Sequence, residues 1–150
     1  MLTGYQRLRA GRVSINQQAY HLVFNTHQRN PLIDFDNGTL LARYLNSTQF
    51  LKNNRLLAWV LMPDHVHILV QLGEGSTLES FVRVFKTQSS LILRRKNVFA
   101  GKVWDKGYYD HACRKEEDLA AIARYIVANP LRAGLVRSVR DYPFWDAIWL

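Results

Sequence analysis

Apolar and polar positions alternate, cluster and break along this chain in a way that predicts seven elements. The stretch QAYHLVFNTHQR, residues 18–29, is rich in aromatic and β-branched residues and predicts a first strand, ended by Asn30 and Pro31. After the loop NPLIDFDNG, the spacing of Leu40, Leu41, Tyr44, Leu45, Thr48, Phe50 and Leu51 predicts a helix of about four turns from Thr39, closed by Asn53 and Asn54. RLLAWVLM and HVHILVQL read as two strands joined through Pro63 and Asp64, strong turn residues, and therefore as a hairpin. GEGS is the next loop. Thr77 is placed to cap a second helix with Leu78, Phe81, Val82, Phe85 and Ile92 on one stripe and basic residues around the remainder. KNVFAGKVWDKG reads as a loop with an aromatic latch, and YYDHACR as a short fourth strand. KEEDLAAIARYIVAN reads as a third helix with acidic residues in its first turn, where the helix dipole favours them, and Pro130 is expected to stop it.

The order β-α-β-β-α-β-α with a central hairpin predicts an α+β, ferredoxin-like domain: an antiparallel sheet with helices packed on one face and the other face free for a ligand. At 150 residues, with no internal repeat or linker, residues 1–150 are expected to form one domain. Every apolar run is cut short of a membrane span by Lys, Arg, Asp or Gln, and the first residues lack the apolar core of a secretory signal. The expected location is the cytoplasm. Cys113, the single cysteine, has no partner for an internal disulfide and reads as a half-buried strand residue.

Charge narrows the partner class. Twenty Lys and Arg against 12 Asp and Glu give a formal charge of +8, which favours an anionic partner, nucleic acid first. Candidate phosphate contacts are Arg83, Lys86, Arg94, Arg95 and Arg132, which would add affinity without sequence preference.

Within the third strand, His65 and His67 project to one side and Val66 and Ile68 to the other. Two neutral imidazoles at that spacing suit one divalent ion if a third ligand arrives from elsewhere; they equally suit hydrogen-bonded structural histidines. Tyr125 and Asn129 lie four residues apart and share a helix face. A phenol can attack phosphorus when a metal ion offsets the charge of the phosphate and of the departing 3′-oxygen, so the two pairs complement each other. Read structurally instead, they are a packed aromatic and a helix-ending amide. Tyr108 and Tyr109 lack a helical amide one turn later, His111 shares a strand face with Tyr109, and His21 and His27 carry no assignment from the sequence.

MPDHVHILV followed by WDKGYYDH, RKEEDL and ARYIVANPLRAGLV resembles the REP-associated tyrosine transposases, single-tyrosine members of the HUH nucleases, over nearly the whole chain from about Tyr20 to DYPFW. That resemblance implies a ferredoxin-like fold and a bacterial, nucleoid-associated enzyme. It implies a divalent metal, Mg2+ or Mn2+, on His65 and His67, with Asn129 as third ligand and Tyr125 as the nucleophile. The insertion-sequence relatives carry Gln where Asn129 stands. The implied substrate is single-stranded or hairpin DNA of the repetitive extragenic palindrome type, and the implied state is a monomer. Strand transfer through a 5′-phosphotyrosine, hydrolysis by water at the same metal, and hairpin binding without catalysis are the three activities to be separated.

Overall fold

A computed structural model describes residues 18–97, 101–114 and 117–150. Five strands, β1 (Ala19–Asn25), β2 (Arg55–Leu61), β3 (His65–Gln71), β4 (Tyr109–Ala112) and β5 (Trp145–Ala147), form one antiparallel sheet in the order β4-β1-β3-β2-β5. β2 and β3 make the expected hairpin, closed by the Met62 amide donating to the His65 carbonyl. The helices are α1 (Phe35–Leu45), α2 (Thr48–Leu51), α3 (Leu78–Asn97), α4 (Leu119–Val127) and α5 (Asn129–Arg132). The α+β, ferredoxin-like reading holds, but the helices are not all on one face as expected: α4 packs on the side of the sheet opposite α1 and α3, because its apolar stripe has its own core there.

Helices α1 and α3 close one face of the sheet. Leu22, Phe24, Trp59, Leu61, Val66, Ile68 and Val70 meet Leu41, Leu45, Phe81, Phe85 and Leu93 there, all buried. Each such side chain contributes roughly 1.5–3 kcal/mol by leaving water. Phe85 sits at the centre, its ring 4.6 Å from Phe24 and 5.4 Å from Trp104. Trp104 is the aromatic latch of the loop before β4, and its indole donates to the hydroxyl of Ser89 on α3. Phe99, of the same loop, lies outside the described residues, as do the N-terminal 17 residues, Lys115 and Glu116. Helix α4 covers part of the other face, laying Ala123, Ile126 and Val127 over Ala58, Val60, Leu69 and Ala147. Among the described residues, no helix is long and apolar enough to cross a membrane.

Local chemistry moved several boundaries. The first strand stops at Asn25, because Gln28 and Arg29 take positive φ and fold 27–29 into a 3-10 turn. The helix expected from Thr39 starts at Phe35, where Asp34 accepts from the Asn37 amide, and breaks at Asn46, after which Ser47 caps α2. Leu93, not Ile92, completes the buried stripe of α3, whose first turn is capped by Thr77 as expected. The third helix, α4, ends at Val127, ahead of Pro130 as expected, and Pro130 lies in the first turn of the separate short helix α5, where a missing N–H costs nothing. Strand β5 had no visible pattern, since three residues are too few to show a period.

Candidate active site

Alternation along β1 turns Tyr20, Leu22 and Phe24 into the closed core and His21 and Val23 to the opposite face. Antiparallel pairing then decides the neighbours: His21 lies opposite His111 of β4, and Val23 opposite His67 of β3. Three strands thus bring His111, His21 and His67 side by side on the face that α4 only partly covers. His21 Nε2 lies 2.9 Å from His67 Nδ1, and the two rings are nearly coplanar, 25° apart, with centroids 5.2 Å from each other. The ring of His65 is also 5.2 Å from that of His67, edge to face. His65 Nδ1 lies 2.7 Å from an oxygen of Asp64, whose other oxygen accepts from Nε and Nη2 of Arg29.

The electrostatics keep the buried imidazoles neutral. Burial, with His21, His65 and Arg132 nearby, brings His67 down to about 3; burial, with His111, brings His21 down to about 4. Neutral imidazole is the form that binds metal ions. Burial alone would raise the Asp64 carboxyl, but the hydrogen bonds and charges of His65 and Arg29 outweigh it and hold the group below its ordinary value.

Tyr125 projects from α4 over this face with 56% of its surface exposed, and the guanidinium carbon of Arg132 sits 3.9 Å from its ring centroid. A cavity of about 610 Å3 opens between helix and sheet, lined by His21, His67, Tyr109, His111, Glu117 and Tyr125 among others. Of the residues expected from the sequence, His67 and Tyr125 therefore share one cavity. His65 and Asn129 flank it and do not line it. The Asn129 amide nitrogen donates to the Ile126 carbonyl at 2.8 Å, so its donors face the helix and its carbonyl oxygen is the atom it can offer a cation. Two imidazoles and an amide oxygen, if brought together, would make a donor set suited to a divalent first-row ion or, less tightly, to magnesium.

Other expectations are redistributed. Tyr108 stacks on Phe24 at 5.8 Å with the Lys86 ammonium 5.6 Å from its ring centroid, on the far side of the sheet. Tyr109 is on the cavity side, edge-on to His21. Helix α3, which carries Arg83, Lys86, Arg94 and Arg95, packs on the closed face, and none of these lines the cavity; Arg132 does not line it either but packs on the ring of Tyr125, which does. Lys86 has a structural task, donating to the carbonyls of Asp105, Lys106 and Gly107 at 2.9–3.1 Å. Arg94 donates to the Gly101 carbonyl. His21 and Glu117 were missed by sequence reasoning. The signal for His21 was its even spacing from other cavity-facing strand residues, which has meaning only once β1 is paired with β3.

His111, Cys113 and Glu117 place one donor atom each within 4.8 Å of one another, a second group able to hold a metal ion. His111 Nε2 contacts both oxygens of Glu117 at 3.0 and 3.1 Å, and the Arg114 amide donates to the same carboxylate. Cys113 is buried, and burial followed by the Glu117 charge pushes its thiol up to about 11.

Residues 14–129 match the family model described as Transposase IS200 like. The chain belongs to that family. It is 34% identical over 88 residues, 58% of the chain, to the REP-associated tyrosine transposase of Escherichia coli K12. It is 30% identical over 98 residues, 59% of the chain, to a putative REP-associated tyrosine transposase of Haemophilus influenzae. The matched regions are 50% and 56% of those proteins, so the chain spans about half the length of the curated relatives it matches. Among solved structures, a REP-associated tyrosine transposase bound to a REP hairpin superposes with a TM-score of 0.70 at 24% identity, covering 87% of this chain and 77% of that one. A putative transposase from Deinococcus radiodurans gives 0.55 at 24%, covering 84% and 95%. These two likenesses carry the fold.

Proposed function

We propose that residues 1–150 act as one monomeric domain in the bacterial cytoplasm, cutting and rejoining single strands at REP-type DNA hairpins with Tyr125 as nucleophile. The observation that carries this reading is the cavity that Tyr125 and His67 line from opposite walls, helix and sheet. A nucleophile and a candidate metal ligand facing one space of that size leave room for a phosphodiester between them. The relatives' names, which include tyrosine transposases and one bound to a REP hairpin, support the choice of hairpin DNA.

In this reading the Tyr125 oxygen attacks the phosphorus, the P–O3′ bond breaks, and the phenol proton leaves as the new phosphotyrosine bond forms. The fragment 3′ of the break stays on the protein through its 5′-phosphate, and the other fragment departs with a free 3′-hydroxyl, whose proton balances the one the phenol lost. A second 3′-hydroxyl reverses the step and restores Tyr125. His65 and His67, with the carbonyl oxygen of Asn129, would hold a divalent ion, Mg2+ or Mn2+, which supplies charge stabilisation at the phosphate and the departing oxygen. Asp64 anchors His65, so its ring is fixed before any ion arrives. Arg132 holds the Tyr125 ring by its face and adds a positive charge where a phosphate must enter.

The test is a denaturing gel with hairpin DNA labelled on the 3′ side of the cut. Label that migrates with the protein, in a metal-dependent manner, is the expected result. Cleavage without a covalent adduct would make water the nucleophile, and binding without cleavage would make the protein a hairpin binder.

A further inference from the structure

His21 has no role in the scheme above, yet its ring meets that of His67 edge to edge with nitrogens 2.9 Å apart. An imidazole can offer a lone pair to a cation from one nitrogen only if the proton sits on the other. For His65 the question is settled by Asp64: its Nδ1 faces a carboxylate at 2.7 Å, so Nδ1 carries the proton and Nε2 is left for a ligand. Among the described residues His67 has no carboxylate partner; its Nδ1 faces Nε2 of His21. That contact is a hydrogen bond in either direction, and the direction decides what His67 can do. If His21 donates, the proton of His67 is on Nε2 and that nitrogen cannot bind a cation. If His21 accepts, His67 is protonated on Nδ1 and Nε2 is free.

We infer that His21 is a positioning residue: its Nε2 accepts from Nδ1 of His67 and holds His67 in the tautomer whose Nε2 can ligate a divalent ion. This rests on the reading of His65 and His67 as a metal pair. The two histidines are thus prepared by different partners, a carboxylate for His65 and a neutral imidazole for His67. The position of each partner explains the difference. Asp64 is in the hairpin turn, where Arg29 balances its charge, whereas His21 is on the cavity floor, where a carboxylate would repel an incoming phosphate. His21 is itself held on three sides. Its backbone pairs with His111 and with Leu69, its ring meets Tyr109 edge to face at 5.8 Å, and its Nε2 edge meets Nδ1 of His67.

The experiment measures Mn2+ affinity of the DNA-free protein from the electron paramagnetic resonance signal of free Mn2+. His21→Phe keeps a ring and removes the acceptor; His21→Ala removes both and serves if the larger ring disturbs folding. Both are expected to weaken Mn2+ binding by about 10–100-fold, the usual effect of losing the partner behind a metal-bound histidine. His21→Gln, whose side-chain oxygen can accept from Nδ1, is expected to recover most of that loss. Hairpin binding in chelator should be unchanged in all three. Wild-type affinity in folded His21→Phe or His21→Ala would overturn the role of His21 alone, and so would His21→Gln binding as weakly as His21→Phe. A wild-type protein that takes up no Mn2+ would overturn the metal pair itself and, with it, this inference.

Discussion

The two faces of the sheet are built from alternate residues of the same strands and have opposite economies. On the closed face, Leu22, Phe24, Val66 and Ile68 are fully buried under α1 and α3. On the other, His21, His65 and His67 occupy the intervening positions, α4 covers only part of the surface, and a cavity is left open. Polar groups in that half-covered setting are costly unless paired, and here the pairing is internal: His67 with His21, His65 with Asp64, His111 with Glu117. One face secures the fold by removing apolar area from water; the other keeps reactive groups dry enough to be neutral and open enough to be reached. The contrast implies that damage to either face should leave the other's property largely intact.

The largest effect is expected at Tyr125. Tyr125→Phe removes only the phenolic oxygen of an exposed residue, so the covalent adduct should vanish while unfolding free energy stays within about 0.5 kcal/mol of wild type. Retention of the adduct would move the nucleophile, with Tyr109 next to test because it lines the same cavity. Next comes the closed face. Phe85→Ala should lower stability by about 3–5 kcal/mol in urea titrations, with adduct formation per folded molecule preserved. A fall in adduct as large as the fall in folded protein cannot explain would show that the two faces are coupled. Lys86→Met sharpens the contrast further. Losing the ammonium that ties three loop carbonyls to α3 should cost about 1–3 kcal/mol of stability and leave the salt dependence of hairpin binding as it was. A stable variant with weakened, less salt-sensitive binding would return Lys86 to the DNA contacts. The smallest effect belongs to Arg132→Gln, for which the slope of log affinity against log salt should become shallower by about 1, as for the loss of one phosphate contact.

The strands β1, β2 and β3 and the helix α3 were legible because each carries enough consecutive residues for its period to show. His65, His67, Tyr125 and Asn129 were legible as pairs, since residues two apart in a strand or four apart in a helix share a side wherever the element is placed. The basic residues of α3 were legible only as a stripe: helical spacing shows which residues share a side of the helix, not which face of the sheet the helix will cover. Lys86 has charge to offer DNA, but the fold spends it on loop carbonyls.

What the sequence determined by itself was therefore local: element types, the pairing of β2 with β3 across a tight turn, and the two residue pairs that carry the candidate chemistry. Only the tertiary structure decided that α4 lies over the histidine face, that Tyr125 and His67 line one cavity, and that His21 stands behind His67. Those relations depend on strand register and on which side of the sheet each connection crosses. Both are fixed by the burial of apolar side chains far apart along the chain, such as Phe24 against Phe85 and Leu69 in one core with Ile126. A period within one segment holds no information about such a partner, so the site becomes visible only when distant segments have packed.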